Sequence, residues 1–279
     1  KVMFDKNPTN EFFVEESFPL DWMYPHLTPF GIIMKINRQP LKSLPEEVFE
    51  KDHEFWSQYS ERLIGNWITY DTPVSNIVQF VEKVYLHHNW SGLNPGQQKF
   101  ARDDQGQKAF SKLRSSIGGV YAWRINPVSP PPLEYRPKSE AEIRRIYKEA
   151  DFTFKQAFAF CPYSPEAVFR YINLLVQPPA PIAPRLEDAL LIAETAQKLD
   201  PYNGQIAGLI GNLRDWKKRV GNTTDMQKLE EQVRANPTNF NAALSLAFSY
   251  LQGQQMDRAL PLLDSIVNNP QVDMPTLLT

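Results

Sequence analysis

The chain has 279 residues, 42% hydrophobic and 22% charged, the balance of an ordinary globular protein long enough to bury a core. Thirty Lys and Arg against 32 Asp and Glu leave a net charge of −2, which argues against a nucleic-acid binder. No stretch approaches the 18 uncharged apolar residues of a membrane span, nothing has the layout of a signal peptide, and the one cysteine, Cys161, excludes an internal disulfide and a Cys-rich zinc site. Proline is abundant, 24 of 279, and glycine scarce at 12, which predicts many short elements with stiff punctuation. Lys1 in place of an initiator Met, and the helix-like start in Asp273–Thr279, predict a fragment or a processed piece.

Residues 1–42 hold the β-prone runs, Glu11–Glu15 and Gly31–Ile36, separated by a Pro- and aromatic-rich stretch from Phe18 to Phe30. Two strands alone are marginal in water, so these are expected to pair with each other or with upstream sequence and to lean on helices. Ser43-Leu-Pro-Glu46 resembles a capping box, and Val48, Phe55, Trp56, Tyr59 and Leu63 then recur at helical spacing. Thr72-Pro73 reads as a cap with Pro in the first turn of a second helix. Its apolar stripe is Val74, Ile77, Val78, Val81, Val84 and Tyr85, and a loop from Asn89 to Gly96 ends it.

From about Gly106 the sequence repeats. Pro162, Pro201, Pro237 and Pro270 each close a helix-like run, at spacings of 39, 36 and 33. Ala150, Phe154, Ala157 and Ala189, Ala193, Ala196 precede the first two prolines with identical gaps. Asp225, Leu229, Gln232 and Ala259, Leu263, Ile266 are degenerate copies. A second pattern follows each of the first three prolines: Val168, Tyr171, Ile172, Leu175; Ala207, Ile210, Gly211, Arg214; and Ala243, Leu246, Ala247, Tyr250. Arg114, Ile117, Gly118 and Tyr121 repeat it further upstream. Small residues let two helices approach, large ones fill the gap, and Pro ends the second helix; the phase is that of the tetratricopeptide repeat. The fold expected is therefore mainly α: a small α/β N-terminal part, residues 1–105, packed on a helical solenoid of about four tetratricopeptide repeats, residues 106–279. Pro-rich insertions near 126–138 and 177–184 are expected to loop out, the first tying a helix ending near Trp123 to its partner near Ala150. Gly211 is expected at a helix close approach, and Gly221-Asn-Thr-Thr224 in a polar loop.

The N-terminal half carries a resemblance. Phe13–Pro25, Gly31–Asn37, Lys51–Trp56 and Phe110–Gly118 resemble the C-terminal soluble region of a family of bacterial polytopic membrane proteins similar to protein O-mannosyltransferases. The resemblance implies an upstream glycosyltransferase module in the membrane and places this region on the periplasmic side of the inner membrane. The acidic catalytic motif of such transferases belongs to that module, so no residue here takes its role.

Other constellations are weak. Asp52, His53 and Glu54, with His87 and His88, are metal-ligand types that nothing in the sequence converges, so surface or capping roles are expected. Glu15, Glu16 and Asp21 read as edge charge, and Cys161 as a packed thiol. Asn89-Trp-Ser91 and Asn222-Thr-Thr224 are formal glycosylation sequons. No G-x-S-x-G, P-loop or G-x-G-x-x-G occurs, and no cofactor or catalytic residue is assigned.

Solenoids present concave surfaces, so the leading reading is a non-catalytic interaction or scaffold module that takes a peptide or protein partner. The other reading is an accessory or acceptor-binding region of a membrane glycosyltransferase. The repeat phase points Phe169, Arg170, Asn173, Gly208, Asn212, Leu244 and Phe248 into the groove. Asn173 and Asn212 share one repeat position, where a carboxamide can grip a peptide backbone. Arg170 would meet a carboxylate, and Phe169 and Phe248 would give apolar anchor surface. Alternatively, the N-terminal part or the insertions fill the groove and these are intramolecular contacts.

Overall fold

A computed structural model describes residues 2–15, 22–237, 239–252 and 255–267, leaving aside the side chains of 220–225 and 252. Glu16, Asp21, Pro270 and Asp273–Thr279 therefore lie outside the described residues. The fold is mainly α with one small N-terminal sheet. In chain order the elements are α1 (Val2–Lys6), β1 (Phe12–Val14), β2 (Leu27–Phe30), β3 (Ile33–Ile36), α2 (Glu46–Leu63), α3 (Val74–Val81), α4 (Pro95–Ala101) and α5 (Asp104–Arg124). They continue as α6 (Glu140–Phe160), α7 (Pro165–Val176), α8 (Leu186–Leu199), α9 (Gly204–Ala235), α10 (Phe240–Gln252) and α11 (Met256–Val267). No described helix is long and apolar enough to cross a membrane. The chain falls into two compact units, 1–211 and 212–279.

In the first unit the two expected strands pair antiparallel, Phe12 opposite Ile36. A third strand, β2, completes the sheet in the order β1-β3-β2. The sequence hides β2 because Pro29 interrupts it. As an edge strand it tolerates a residue with no N–H. Gly31, at φ +61, makes the β2–β3 turn in the left-handed region that favours glycine. Leu27 and Met34 are buried from this sheet, which packs on α2 and α5.

The helix starts correct two expectations. α2 is preceded by Pro45 in an extended conformation with no side-chain cap, so Ser43 and Glu46 make no capping box. The physical reason is Pro45 itself, which disfavours helical backbone at Leu44. Pro73 likewise occupies the N-cap of α3, and the Thr72 hydroxyl instead accepts from the Thr69 N–H at 2.8 Å. The capping box that does form is Asn94 with Gln97, at the start of α4, inside the stretch expected to be loop. The α3 stripe holds: Val74, Ile77, Val78 and Val81 are buried, and Val84 and Tyr85 continue it through a π-helical turn, Glu82–Leu86.

Helix α6 is the hub, touching α2, α3, α5 and α7. Every residue from Glu149 to Phe160 is buried. Consecutive helices pack: α5 on α6, α6 on α7, α7 on α8, with α5 also meeting α7. At the α5–α6 crossing a Cβ on Gly118 would lie 2.7 Å from Phe154, so only glycine fits. The first insertion leaves α5 after Arg124 and returns at Glu140, ten residues before Ala150, and it contains one 3₁₀ turn, Leu133–Tyr135.

The repeat positions are buried in α5 to α8, α10 and, except for half-buried Leu263, α11; α9 departs. It is one helix from Gly204 to Ala235, so Gly221-Asn-Thr-Thr224 is helical, not a loop. No proline interrupts these residues, and propensity alone does not stop a helix. Ala207, Gly211 and Arg214 are exposed, and a Cβ on Gly211 would meet nothing within 4 Å. Gly211 is not a close approach. In the second unit, Leu246, Tyr250 and Ala259 form a small core with Met226, Leu229, Val233, Leu251 and Leu262 around it.

Candidate functional site

Helices α5 and α7 bound a cleft of about 450 Å³ in the first unit. Small residues on α5, Gly119 and Ala122, open its floor, and Trp123 forms a wall with Tyr24 stacked on it at 5.4 Å. The edge of Phe154 and the side chains of Leu174 and Pro179 complete the apolar lining. Both insertions reach the rim, the first through residues 126–129 and the second through Pro179. The N-terminal part therefore supplies one wall through Tyr24, and the cleft is open beside it.

One face of α7 and its C-cap supply the polar lining. Arg170, Asn173, Leu174 and Gln177 follow the i, i+3, i+4, i+7 spacing of a single helix face. The Asn173 and Gln177 side chains are exposed. Arg170 is oriented by Glu166, 3.0 Å away, and donates to the Ser115 carbonyl at 3.3 Å. Asn126 is committed to its own loop, accepting from the Val128 and Ser129 N–H groups. The lining residues include no carboxylate.

Of the residues expected in a groove, the structure brings Arg170 and Asn173 together in this cleft. Phe169 is half-buried on α7 and does not line it. Gly208 is exposed on α9 with open space around it. Asn212, Leu244 and Phe248 belong to the second unit: Asn212 and Phe248 are exposed, Leu244 half-buried. Sequence reasoning missed Tyr24, Trp123 and Gln177. Gln177 was findable, one helical repeat of seven beyond Arg170. Tyr24 and Trp123 meet only through the tertiary fold.

A second constellation lies in the core of the first unit, and it corrects the expectation of a surface role for Asp52. The Asp52 carboxylate is buried, held by Arg114 Nη1 at 3.1 and 2.9 Å and by the Tyr121 hydroxyl at 2.9 Å. Burial pushes this carboxyl up, against the pull of Arg114 and Tyr121. Arg114 also donates to Gln156 at 2.8 Å and lies over the Trp56 ring. His53 stacks between Tyr70 and Phe152 at 4.3 and 4.4 Å. Glu149 accepts from Tyr70 and from Arg145; burial raises its carboxyl, but His53, Tyr70 and Arg145 together bring it below its ordinary range. Asp151 is held by Lys155, Arg185 and Tyr171. Each of these carboxylates meets a cation and a phenol, so the network braces α6 against its neighbours.

The remaining candidates are dispersed. Among the described residues no three His, Cys, Asp or Glu side chains are placed to hold a metal ion. Glu15 pairs with Lys112 at 2.7 Å. Cys161 is fully buried, and burial pushes its thiol up to about 11. Compared with known family models, curated proteins and solved structures, the chain has no match.

Proposed function

We propose that this chain is a non-catalytic binding module and that the α5–α7 cleft receives an extended peptide. The observation that carries this reading is the pairing of a rigid aromatic wall, Tyr24 on Trp123, with three polar side chains on one helix face, Arg170, Asn173 and Gln177. An aromatic wall takes an apolar side chain of the ligand. The two carboxamides donate and accept at once, which suits a peptide backbone. Arg170, already paired with Glu166, adds a guanidinium N–H donor to the same face. The consecutive packing of α5 to α8 and the burial of the repeat positions support a tetratricopeptide assignment of these helices. By the resemblance in the N-terminal half, the module belongs on the periplasmic side of a bacterial inner membrane, beside a membrane glycosyltransferase module.

A random peptide library displayed on phage, selected against the full chain, tests the reading. Selected peptides should share an apolar residue, and Asn173→Ala with Gln177→Ala should weaken them by about tenfold. Asn212→Ala should leave them unchanged. Failure to select any peptide, or equal binding by the double variant, would sink the proposal.

A further inference from the structure

A second groove in the first unit also joins an aromatic pair to exposed carboxamides, here with no arginine in the lining. It encloses about 670 Å³ between the end of α2, the outer face of α3 and the loop before α4. The α3 residues that line it, Asn76, Gln79, Phe80 and then Lys83 in the π-helical turn, are again spaced i, i+3, i+4, i+7. Asn66 and Trp67 face them from the segment after α2.

The aromatic pair is fixed in place. Trp67 Nε1 donates to the Ile64 carbonyl at 3.2 Å, and the Phe80 ring centroid is 5.0 Å from that of Trp67. Gly65, at φ +93, permits this seat: a Cβ there would already lie 3.3 Å from Trp67. Both rings are half-buried. Around them Asn66, Asn76 and Gln79 are exposed, and among the described residues none of the three carboxamides has a hydrogen-bond partner. The only charged lining side chain, Lys83, is tied to the Ser91 carbonyl at 2.7 Å.

We infer that this groove binds a neutral saccharide. A pyranose offers an apolar C–H face, which lies on an aromatic ring, and a rim of hydroxyls that donate and accept together. Carboxamides answer both functions from one side chain, whereas carboxylates or ammonium groups answer one. A cationic ligand finds no carboxylate among the lining side chains, and the one ammonium, Lys83, gives one of its donors to the Ser91 carbonyl. The ring pair supplies the surface, and the three amides set the orientation. This inference stands apart from the peptide reading, since the two clefts share no lining residue.

The test is a titration of the full chain with maltotetraose, cellotetraose and chitotetraose, with tetragalacturonate as the charged comparison, followed by the indole N–H signal of Trp67. That signal is assigned by its loss in Trp67→Phe. At least one neutral tetrasaccharide should shift it, and tetragalacturonate should not. Asn76→Ala with Gln79→Ala, both exposed positions, should weaken that saccharide by about tenfold without moving the thermal midpoint. Asn173→Ala with Gln177→Ala should leave saccharide binding intact. No shift with any of the three neutral sugars, a preference for the acidic one, or undiminished binding by the Asn76, Gln79 variant would overturn the inference.

Discussion

The α5–α6 pair and helix α9 carry the same repeat spacing, yet one folds back on itself and the other is one continuous helix. In the first, Gly118 faces the Phe154 ring, and Pro127 and Pro130–Pro132 force the chain out of helix between the two. In α9, Gly211 faces open space, and no proline intervenes before Ala235. A small residue marks a helix crossing only where a large partner is pressed against it and a breaker lets the chain return. Spacing alone supplies neither.

The strongest way to break this comparison is to attack the brace on α5. Asp52→Ala leaves Arg114 buried without its carboxylate, and loss of one partner of a buried pair costs about 3–5 kcal/mol. Arg214, the α9 position that matches Tyr121, is exposed, and Arg214→Ala should change stability by less than about 0.5 kcal/mol. Urea melts of both variants decide it, and similar losses would refute the contrast.

Alkaline pH probes the buried end of α6. An acid whose folded pKa lies above its ordinary value holds its proton in the fold while the unfolded chain releases it. Cys161, raised by burial from 9.0 to about 11, therefore contributes fully below about pH 9 and loses its contribution as pH rises toward 11. The expected loss is about 2–3 kcal/mol, and iodoacetamide should not label the native thiol at pH 8. Rapid labelling of native protein would contradict the burial.

Two glycine substitutions sharpen the comparison at lower cost. Gly118→Ala forces its Cβ onto Phe154 and should destabilise by about 1–3 kcal/mol. Gly211→Ala should stabilise by about 0.5–1 kcal/mol, because it improves an exposed helix position. The smallest effect expected is at Gly221, inside the continuous α9, where Ala gains no more than Gly211→Ala does; a loss of stability there would contradict the helix.

The parts legible in the sequence were those where apolar spacing coincides with burial. The α3 stripe and the α5, α7 and α10 positions are of this kind. Where polar residues are buried the pattern fails. The inner face of α2 is Phe49, Asp52, Trp56, Ser60 and Leu63, and its Asp and Ser disguise it as surface. The strand β2 was hidden by Pro29, which is harmless only because the strand is at an edge. For the cleft, the α7 face was readable from one helix, whereas the Tyr24–Trp123 wall joins residues 99 apart that no local rule connects.

The surroundings of α6 bear on how this protein can be cut. Its side chains and last carbonyls are satisfied by Asp52 through Arg114, by Tyr70 through Glu149 and Lys155, by Tyr85 at the Ala159 and Phe160 carbonyls, and by Arg185 at Asp151. A fragment that begins at residue 106 retains every repeat-like helix and loses three of those four suppliers. It would expose to solvent faces of a helix that is buried on every side in the full chain, with its charges stranded, the recipe for inclusion bodies. The shortest soluble fragment should therefore keep residues 52–185 whole, and expression trials should move their boundaries outward from that span.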